Sequence, residues 1–168
     1  MGRAGYTVLI DPATGLSTEW HFDIVLDFIF PLAHRGVTLT LVLFGIDEGA
    51  RGSDDPPPKE VISDLGTAIG GVIRSSDLVA RYGDDLFMCL LPVCNLQGGL
   101  GLRRPHSGLS RGLQGQDWGH RERAGVASHR GEGEGTRQEM VQALKAAPME
   151  ARAAGGNRVE IYQDAWNV

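Results

Sequence analysis

The segment Arg74-Ser-Ser-Asp-Leu-Val-Ala-Arg-Tyr-Gly-Asp-Asp-Leu-Phe87 constrains this chain more than any other, because it sets two apolar, β-prone runs on either side of a tight acidic turn. Leu78, Val79 and Tyr82 precede the turn; Leu86, Phe87, Met88, Cys89, Leu90 and Leu91 follow it, and Pro92 closes the run. Such residues suit a pleated, half-buried surface, and Gly83-Asp84 is a dipeptide that tolerates positive φ at a two-residue connection. The segment is read as a β-hairpin with Asp84 and Asp85 at its tip. Hard divalent cations take oxygen ligands, so Asp85 is a candidate metal ligand; a solvated acidic turn is the competing reading.

A hairpin needs further strands and a cover. Thr38 to Ile46 is apolar on both faces, as expected of a central strand covered on two sides. Ser17 can cap a helix that begins near Thr18, with Trp20, Phe22, Val25, Ile29 and Ala33 at helical spacing, and Pro31 should bend or stop it. Three consecutive prolines ending at Pro58 force a connection, after which Val61, Ile62, Leu65, Ile69, Val72 and Ile73 form the stripe of a second helix. Seven glycines and one proline between Asn95 and His120 leave room only for a short helix, Leu96 to Arg104, followed by a loop. Arg121 to Ser128 reads as a strand, Gln138 to Ala154 as a helix interrupted by Pro148, and Arg158 to Tyr162 as a terminal strand. The order β, α, β, β, α, β, α, β gives an α+β fold with helices flanking a mainly antiparallel central sheet.

At 168 residues and 42% hydrophobic, the chain suits a single domain spanning residues 1–168, folding of which should bury roughly two thirds of the unfolded surface. No apolar run approaches the ~20 residues that span a bilayer, so no membrane insertion is expected and a cytoplasmic location is the default. Two cysteines, Cys89 and Cys94, are too few for a secreted disulfide framework and are read as reduced. A net charge of −5 argues against general nucleic-acid binding, although Arg103, Arg104, Arg111, Arg121, Arg123 and Arg130 gather in the second half.

Four ordered landmarks join the hairpin: Asp11-Pro-Ala-Thr-Gly-Leu16, Leu41-Val-Leu-Phe-Gly-Ile-Asp47, Ala124-Gly-Val-Ala-Ser128 and Ala151-Arg-Ala-Ala-Gly-Gly-Asn-Arg-Val159. Together they resemble the GGDEF (diguanylate cyclase) family along nearly the whole chain. That family carries Asp-x-Leu-Thr-Gly-Leu, a strand ending in Asp-Ile-Asp, Arg-x-x-Asp five residues before Gly-Gly-Asp/Glu-Glu-Phe, Ser-Ile-Gly-Val-Ala, and a closing Ala-Lys-x-x-Gly-Arg-Asn-x-Val. The resemblance implies a bacterial signalling domain with a nucleotidyl cyclase-like fold. In its active form, two GTP-loaded copies meet and each 3′-hydroxyl attacks the partner's α-phosphate with the help of two Mg²⁺ or Mn²⁺ ions.

The letters that such chemistry needs are eroded. The first metal-ligand position falls on Gly45, which has no donor, whereas the hairpin position falls on Asp85, which has one. Asp47 lies two residues past Gly45, displaced by roughly 6 to 7 Å at ~3.3 Å per residue. After Gly83, the second hairpin glycine is Asp84, a negative charge where a triphosphate should approach, and the glutamate position is Leu86, which can neither coordinate a cation nor exchange a proton. The base-reading positions fall on Ser53 and Ile62. Of the basic triphosphate contacts Arg152 keeps a charge, whereas Gly156 replaces an arginine.

Arg74 and Asp77 retain the Arg-x-x-Asp arrangement, which in the family forms an inhibitory site for cyclic di-GMP, with Arg103 or Arg104 near a further family arginine. A guanidinium can donate a fork to guanine O6 and N7, while a carboxylate accepts from N1 and N2. The competing reading is structural: Arg74 at a helix end and Asp77 capping the turn into the strand. The expectation is a catalytically inactive GGDEF domain that serves as a regulatory or cyclic di-GMP-binding module, with GTP not expected as a ligand. It needs no cofactor; Mg²⁺ or Mn²⁺ would matter only to residual cyclase activity. The alternatives are a weakly active diguanylate cyclase and a nucleotide-free module that contacts a second copy or a signalling partner.

Overall fold

Alternation along the central strand sends Leu39, Leu41 and Leu43 to one side of a sheet and Val42 to the other, and each side carries its own core. The computed structural model describes residues 9–47, 58–71, 73–95, 97, 121–129, 136–153 and 158–163, with the backbone alone at 44, 46–47, 121–129, 147–153 and 158–163. Within them the elements are β1 (Ser17–Thr18), α1 (Glu19–Ile29), a 3-10 helix (Phe30–Arg35), β2 (Leu39–Asp47), α2 (Lys59–Gly70), β3 (Leu78–Arg81), β4 (Leu86–Pro92), β5 (Arg121–His129), α3 (Arg137–Ala153) and β6 (Arg158–Gln163). The sheet order is β1-β3-β4-β2-β5-β6.

The sheet is mixed. Pairings β3–β4, β4–β2 and β2–β5 are antiparallel, as the sequence suggests, whereas β1 runs parallel to β3 and β6 parallel to β5. The hairpin therefore sits next to the central strand, and β2 lies between β4 and β5. Phe22 and Leu26 of α1, Phe30 and Ala33 of the 3-10 helix, and Met140, Val141 and Leu144 of α3 cover one face, against Leu41, Leu43, Met88, Leu90 and Tyr82. Ile62, Leu65 and Ile69 of α2 cover the other, against Val42, Val79, Phe87, Cys89 and Leu91. Fully burying each such side chain contributes about 1.5 to 3 kcal/mol, which is why β2 and β4 tolerate almost no polar residue.

Several local expectations are corrected. Thr18 rather than Ser17 caps α1: its Oγ1 accepts the His21 N–H at 3.3 Å, while Ser17 is held in β1 opposite Ala80. As expected of Pro31, the α-helix stops at Ile29 and the chain tightens into the 3-10 helix, because proline cannot supply the next helical N–H. The second helix ends at Gly70, so Ile73 joins its core from the turn that follows. The helix α3 starts at Arg137 and runs through Pro148 without interruption. Its start is fixed by a reciprocal cap in which Glu139 N–H donates to Thr136 Oγ1 at 3.2 Å and Thr136 N–H donates to Glu139 Oε2 at 2.7 Å.

Candidate functional site

The hairpin turn is built by an arginine that the sequence analysis passed over. The hairpin closes with Tyr82 N–H donating to the Leu86 carbonyl at 2.8 Å, leaving Gly83, Asp84 and Asp85 as a three-residue connection rather than a two-residue one. Gly83 does not take up positive φ. Arg81 holds the turn instead, its Nε donating to the Gly83 carbonyl at 3.2 Å and an Nη to the Asp84 carbonyl at 3.1 Å. Its other Nη reaches Asp11 Oδ1 at 3.4 Å.

Asp11 anchors the first landmark in turn. Asp11 Oδ2 accepts from the Thr14 N–H at 2.9 Å and from the Thr14 hydroxyl at 2.8 Å, and Asp11 N–H donates to the Leu16 carbonyl at 2.7 Å. Gly15 sits in the left-handed region at φ 71°, which this tight turn requires. A Cβ on Gly66 of α2 would stand 2.9 Å from the Thr14 Cβ, so only glycine lets the helix approach the turn this closely. The landmark at residues 11–16 and the hairpin tip are thus one assembly, clasped by Arg81.

Gly45 lies opposite Leu86, the last β2–β4 pair before the turn, and opposite Arg123 on β5. Gly45 is therefore next to the hairpin connection that carries Asp85, as the resemblance implies. Gly45 offers no donor and is buried, and Leu86 packs against the core beneath α1 and α3. Asp84 is exposed and Asp85 half-buried. Asp47 lies past the last β2–β4 pair, opposite Arg121 in the β2–β5 register. Among the described residues no group of three or more His, Cys, Asp or Glu could hold a metal ion. This donor set does not fit a two-metal centre, which needs carboxylates on both sides of the ion pair.

Beside Leu86, on the same sheet face, Tyr82 is enclosed by the two helices that cover it. Its hydroxyl donates to Asp23 Oδ1 at 2.7 Å, its ring meets Phe22 edge-on, and Lys145 Nζ lies 4.7 Å from the ring centre. Burial, and then acceptance of its hydrogen bond by Asp23, push the Tyr82 phenol well above its usual range. Arg137 reaches Asp23 at 3.4 Å and pairs with Asp27, and Lys145 reaches Glu19 at 3.5 Å. Acidic residues at spacing four on α1 thus face basic residues of α3. Neither row stood out as functional in the sequence, where only the apolar spacing of α1 drew attention.

Arg74 and Asp77 form a separate turn at the opposite end of β3 from the acidic connection. Asp77 N–H donates to the Arg74 carbonyl at 3.0 Å. The Asp77 carboxylate accepts the Arg74 N–H at 2.9 Å and the Ser76 hydroxyl at 3.1 Å, so its first use is to cap this turn. Each oxygen retains a second lone pair. The Arg74 side chain is exposed and makes no ion pair or side-chain hydrogen bond among the described residues. Cys94 lies nearby: burial and the Asp77 carboxylate raise its thiol above the usual range, with Arg74 opposing. Both cysteines are free thiols.

Of the other sequence candidates, Ile62 is buried under α2 in the core and cannot present a polar edge to a base. Arg152 lies on α3, described in backbone only. Ser53, Arg103, Arg104 and Gly156 lie outside the described residues, as does nearly all of the expected helix from Leu96 to Arg104. No described helix is long and apolar enough to cross a membrane.

Known structures share this architecture. The GGDEF domain of DgcB from Caulobacter crescentus, in complex with c-di-GMP, is 22% identical with a TM-score of 0.70 over 91% of this chain and 95% of that one. The diguanylate cyclase SiaD from Pseudomonas aeruginosa, in complex with its activator SiaC, is 21% identical with a TM-score of 0.70, over 91% of this chain and 61% of that one. The FimX GGDEF domain from Pseudomonas aeruginosa is 17% identical with a TM-score of 0.65, over 93% of this chain and 99% of that one. At these identities the likeness establishes the fold alone. No curated protein matches the chain. The family model for the diguanylate cyclase GGDEF domain matches residues 8–158, and the chain belongs to that family.

Proposed function

We propose that this single GGDEF domain does not turn over GTP and serves bacterial second-messenger signalling as a regulatory module that binds cyclic di-GMP at Arg74 and Asp77. The observation that supports the loss of catalysis is the pairing of Gly45 with Leu86: the metal-ligand position of the central strand and the glutamate position of the hairpin meet with no oxygen ligand between them, which leaves Asp85 as the donor of that set. An exposed guanidinium beside a carboxylate with unused lone pairs supports the ligand reading, since this pair keeps both a donor fork and an acceptor for a guanine edge. The DgcB domain was solved with c-di-GMP, which makes that dinucleotide the first ligand to test.

Isothermal titration of the purified chain with cyclic di-GMP and, in parallel, with GTP tests the reading. Cyclic di-GMP should bind and GTP should not. Removing the arginine of a desolvated charged contact costs on the order of 2 to 5 kcal/mol, so Arg74→Ala should weaken cyclic di-GMP at least ~30-fold while Asp85→Ala leaves it nearly unchanged. Equal sensitivity to both would place the ligand at the hairpin tip instead. Absence of binding by the wild type would favour a nucleotide-free interaction module, a reading consistent with the use of both Asp77 oxygens inside its own turn.

A further inference from the structure

Val93 departs from what its own backbone favours. It leaves β4 just past Pro92 at φ 55°, the only non-glycine residue with positive φ among those described. Glycine or asparagine suits that left-handed conformation, whereas a β-branched side chain crowds the backbone there. The corner is held from elsewhere, because the Thr40 hydroxyl on the central strand donates to the Cys94 carbonyl at 2.6 Å. That bond accounts for the path of the backbone and not for the choice of valine. The side chain is 82% exposed and belongs to neither core cluster, so its apolar surface gains nothing within the chain.

The position of this corner gives the side chain a use. Strands β3 and β4 are antiparallel with Leu78 opposite Leu90, so the start of β3 and the end of β4 share one end of the sheet, on neighbouring strands about 5 Å apart. The turn of Arg74 and Asp77 enters β3 at that end, and Val93 leaves β4 there. Ile73, just before the turn, and Cys94, just after Val93, pack against the same core cluster, which ties the two segments together.

We infer that Val93 is the apolar rest for a purine face in the site of Arg74 and Asp77. The inference rests on the cyclic di-GMP reading above and adds to it a residue that positions the base. A guanidinium and a carboxylate address the edge of guanine in the plane of its ring, which leaves the flat faces to be covered. Small-ligand sites combine a few oriented polar groups with apolar lining, and Arg74, Ser75, Ser76 and Asn95, the exposed residues around this turn, are all polar. Val93 supplies the apolar contact. Its scale fits a base rather than a protein, since one exposed valine falls far short of the surface that a specific protein interface buries. Unfavourable backbone conformations persist at ligand sites where the surrounding structure enforces them, as Thr40 does here.

Isothermal titration with cyclic di-GMP, paired with urea unfolding of each variant, provides the test. Val93→Gly relieves the strain and removes the apolar contact, so it should raise the unfolding midpoint while weakening cyclic di-GMP about tenfold. Val93→Asn, which also suits the left-handed region, should weaken the ligand similarly, and Val93→Leu should stay within about threefold of wild type. In methyl-labelled protein the Val93 signals should move upfield on addition of cyclic di-GMP, as the ring current over a base face requires. A wild type that binds and loses binding in Arg74→Ala, yet tolerates Val93→Gly or leaves the Val93 methyl signals in place, would overturn this inference alone. Weaker binding by Val93→Gly together with a lower unfolding midpoint would overturn it too, because the side chain would then be holding the turn. A wild type that binds no cyclic di-GMP would overturn it together with the reading on which it rests.

Discussion

Gly45 and Leu86 face each other across the β2–β4 ladder, one residue short of the acidic connection. The register makes the erosion a single local fact: the metal-ligand position of the central strand and the glutamate position of the hairpin meet, and neither can bind a cation or move a proton, which leaves Asp85 beside them as the remaining donor. Purified protein given GTP with Mg²⁺ or Mn²⁺ should therefore form no cyclic di-GMP above background by chromatography of the products. Sustained turnover that disappears in Asp85→Ala would show that Asp85 still supports the reaction.

Arg81 is expected to be the residue whose loss most disturbs the hairpin tip. Its guanidinium satisfies two turn carbonyls and meets Asp11, with both side chains largely buried. Arg81→Ala should cost on the order of 2 kcal/mol in urea unfolding, and Arg81→Lys should recover less than half, because one ammonium cannot reproduce the planar fork. A lysine variant as stable as wild type would mean that charge alone matters here.

Tyr82 links the hairpin to α1 through Asp23, and its phenol titrates higher in the folded chain than the ordinary 10.0. A group whose folded value is raised contributes stability that is complete below its unfolded value and declines as pH rises towards the folded one. Unfolding free energy should therefore begin to fall above about pH 10, and Tyr82→Phe should remove much of that slope at a cost of about 1 kcal/mol at neutral pH. An alkaline profile unchanged by the substitution would assign the slope to other groups.

The reciprocal cap of α3 gives the opposite sign. The Thr136 N–H and hydroxyl lower the Glu139 carboxyl below its ordinary 4.5, so its contribution is present above that value and is lost as pH falls below it. Glu139→Gln should lower the melting temperature at neutral pH and flatten the acid limb of the stability curve, leaving stability at low pH nearly unchanged. A parallel downward shift at every pH would indicate a packing defect instead.

Val93 is a β-branched residue at φ 55°, held just past Pro92 with its side chain exposed. Such a backbone is strained for valine and free for glycine, and no core contact is lost on truncation. Val93→Gly should thus stabilise the chain by about 1 kcal/mol in urea unfolding; destabilisation would mean that the turn is held by the side chain itself.

Elements whose signal is local are legible from the residues alone. Runs of residues with a single physical preference marked β2, α2, β4 and the hairpin, because burial on one or both faces leaves an apolar pattern that needs no partner to be read. Ordered motifs then placed the family, and with it the neighbourhood of Gly45 and the hairpin. Only tertiary structure decided what joins distant segments. Arg81 looked like a strand residue until the fold set it against Asp11, seventy positions away. Nothing local to Glu19, Asp23 and Asp27 marks their partners, which α3 supplies across more than a hundred positions. The parallel pairing of β1 with β3 and of β6 with β5 is likewise invisible locally, since a strand's own residues do not state the direction of its neighbour. Trp20 read as part of the helix's apolar side for the same reason: spacing records that residues share a face, and only packing decides whether that face meets the core or the solvent.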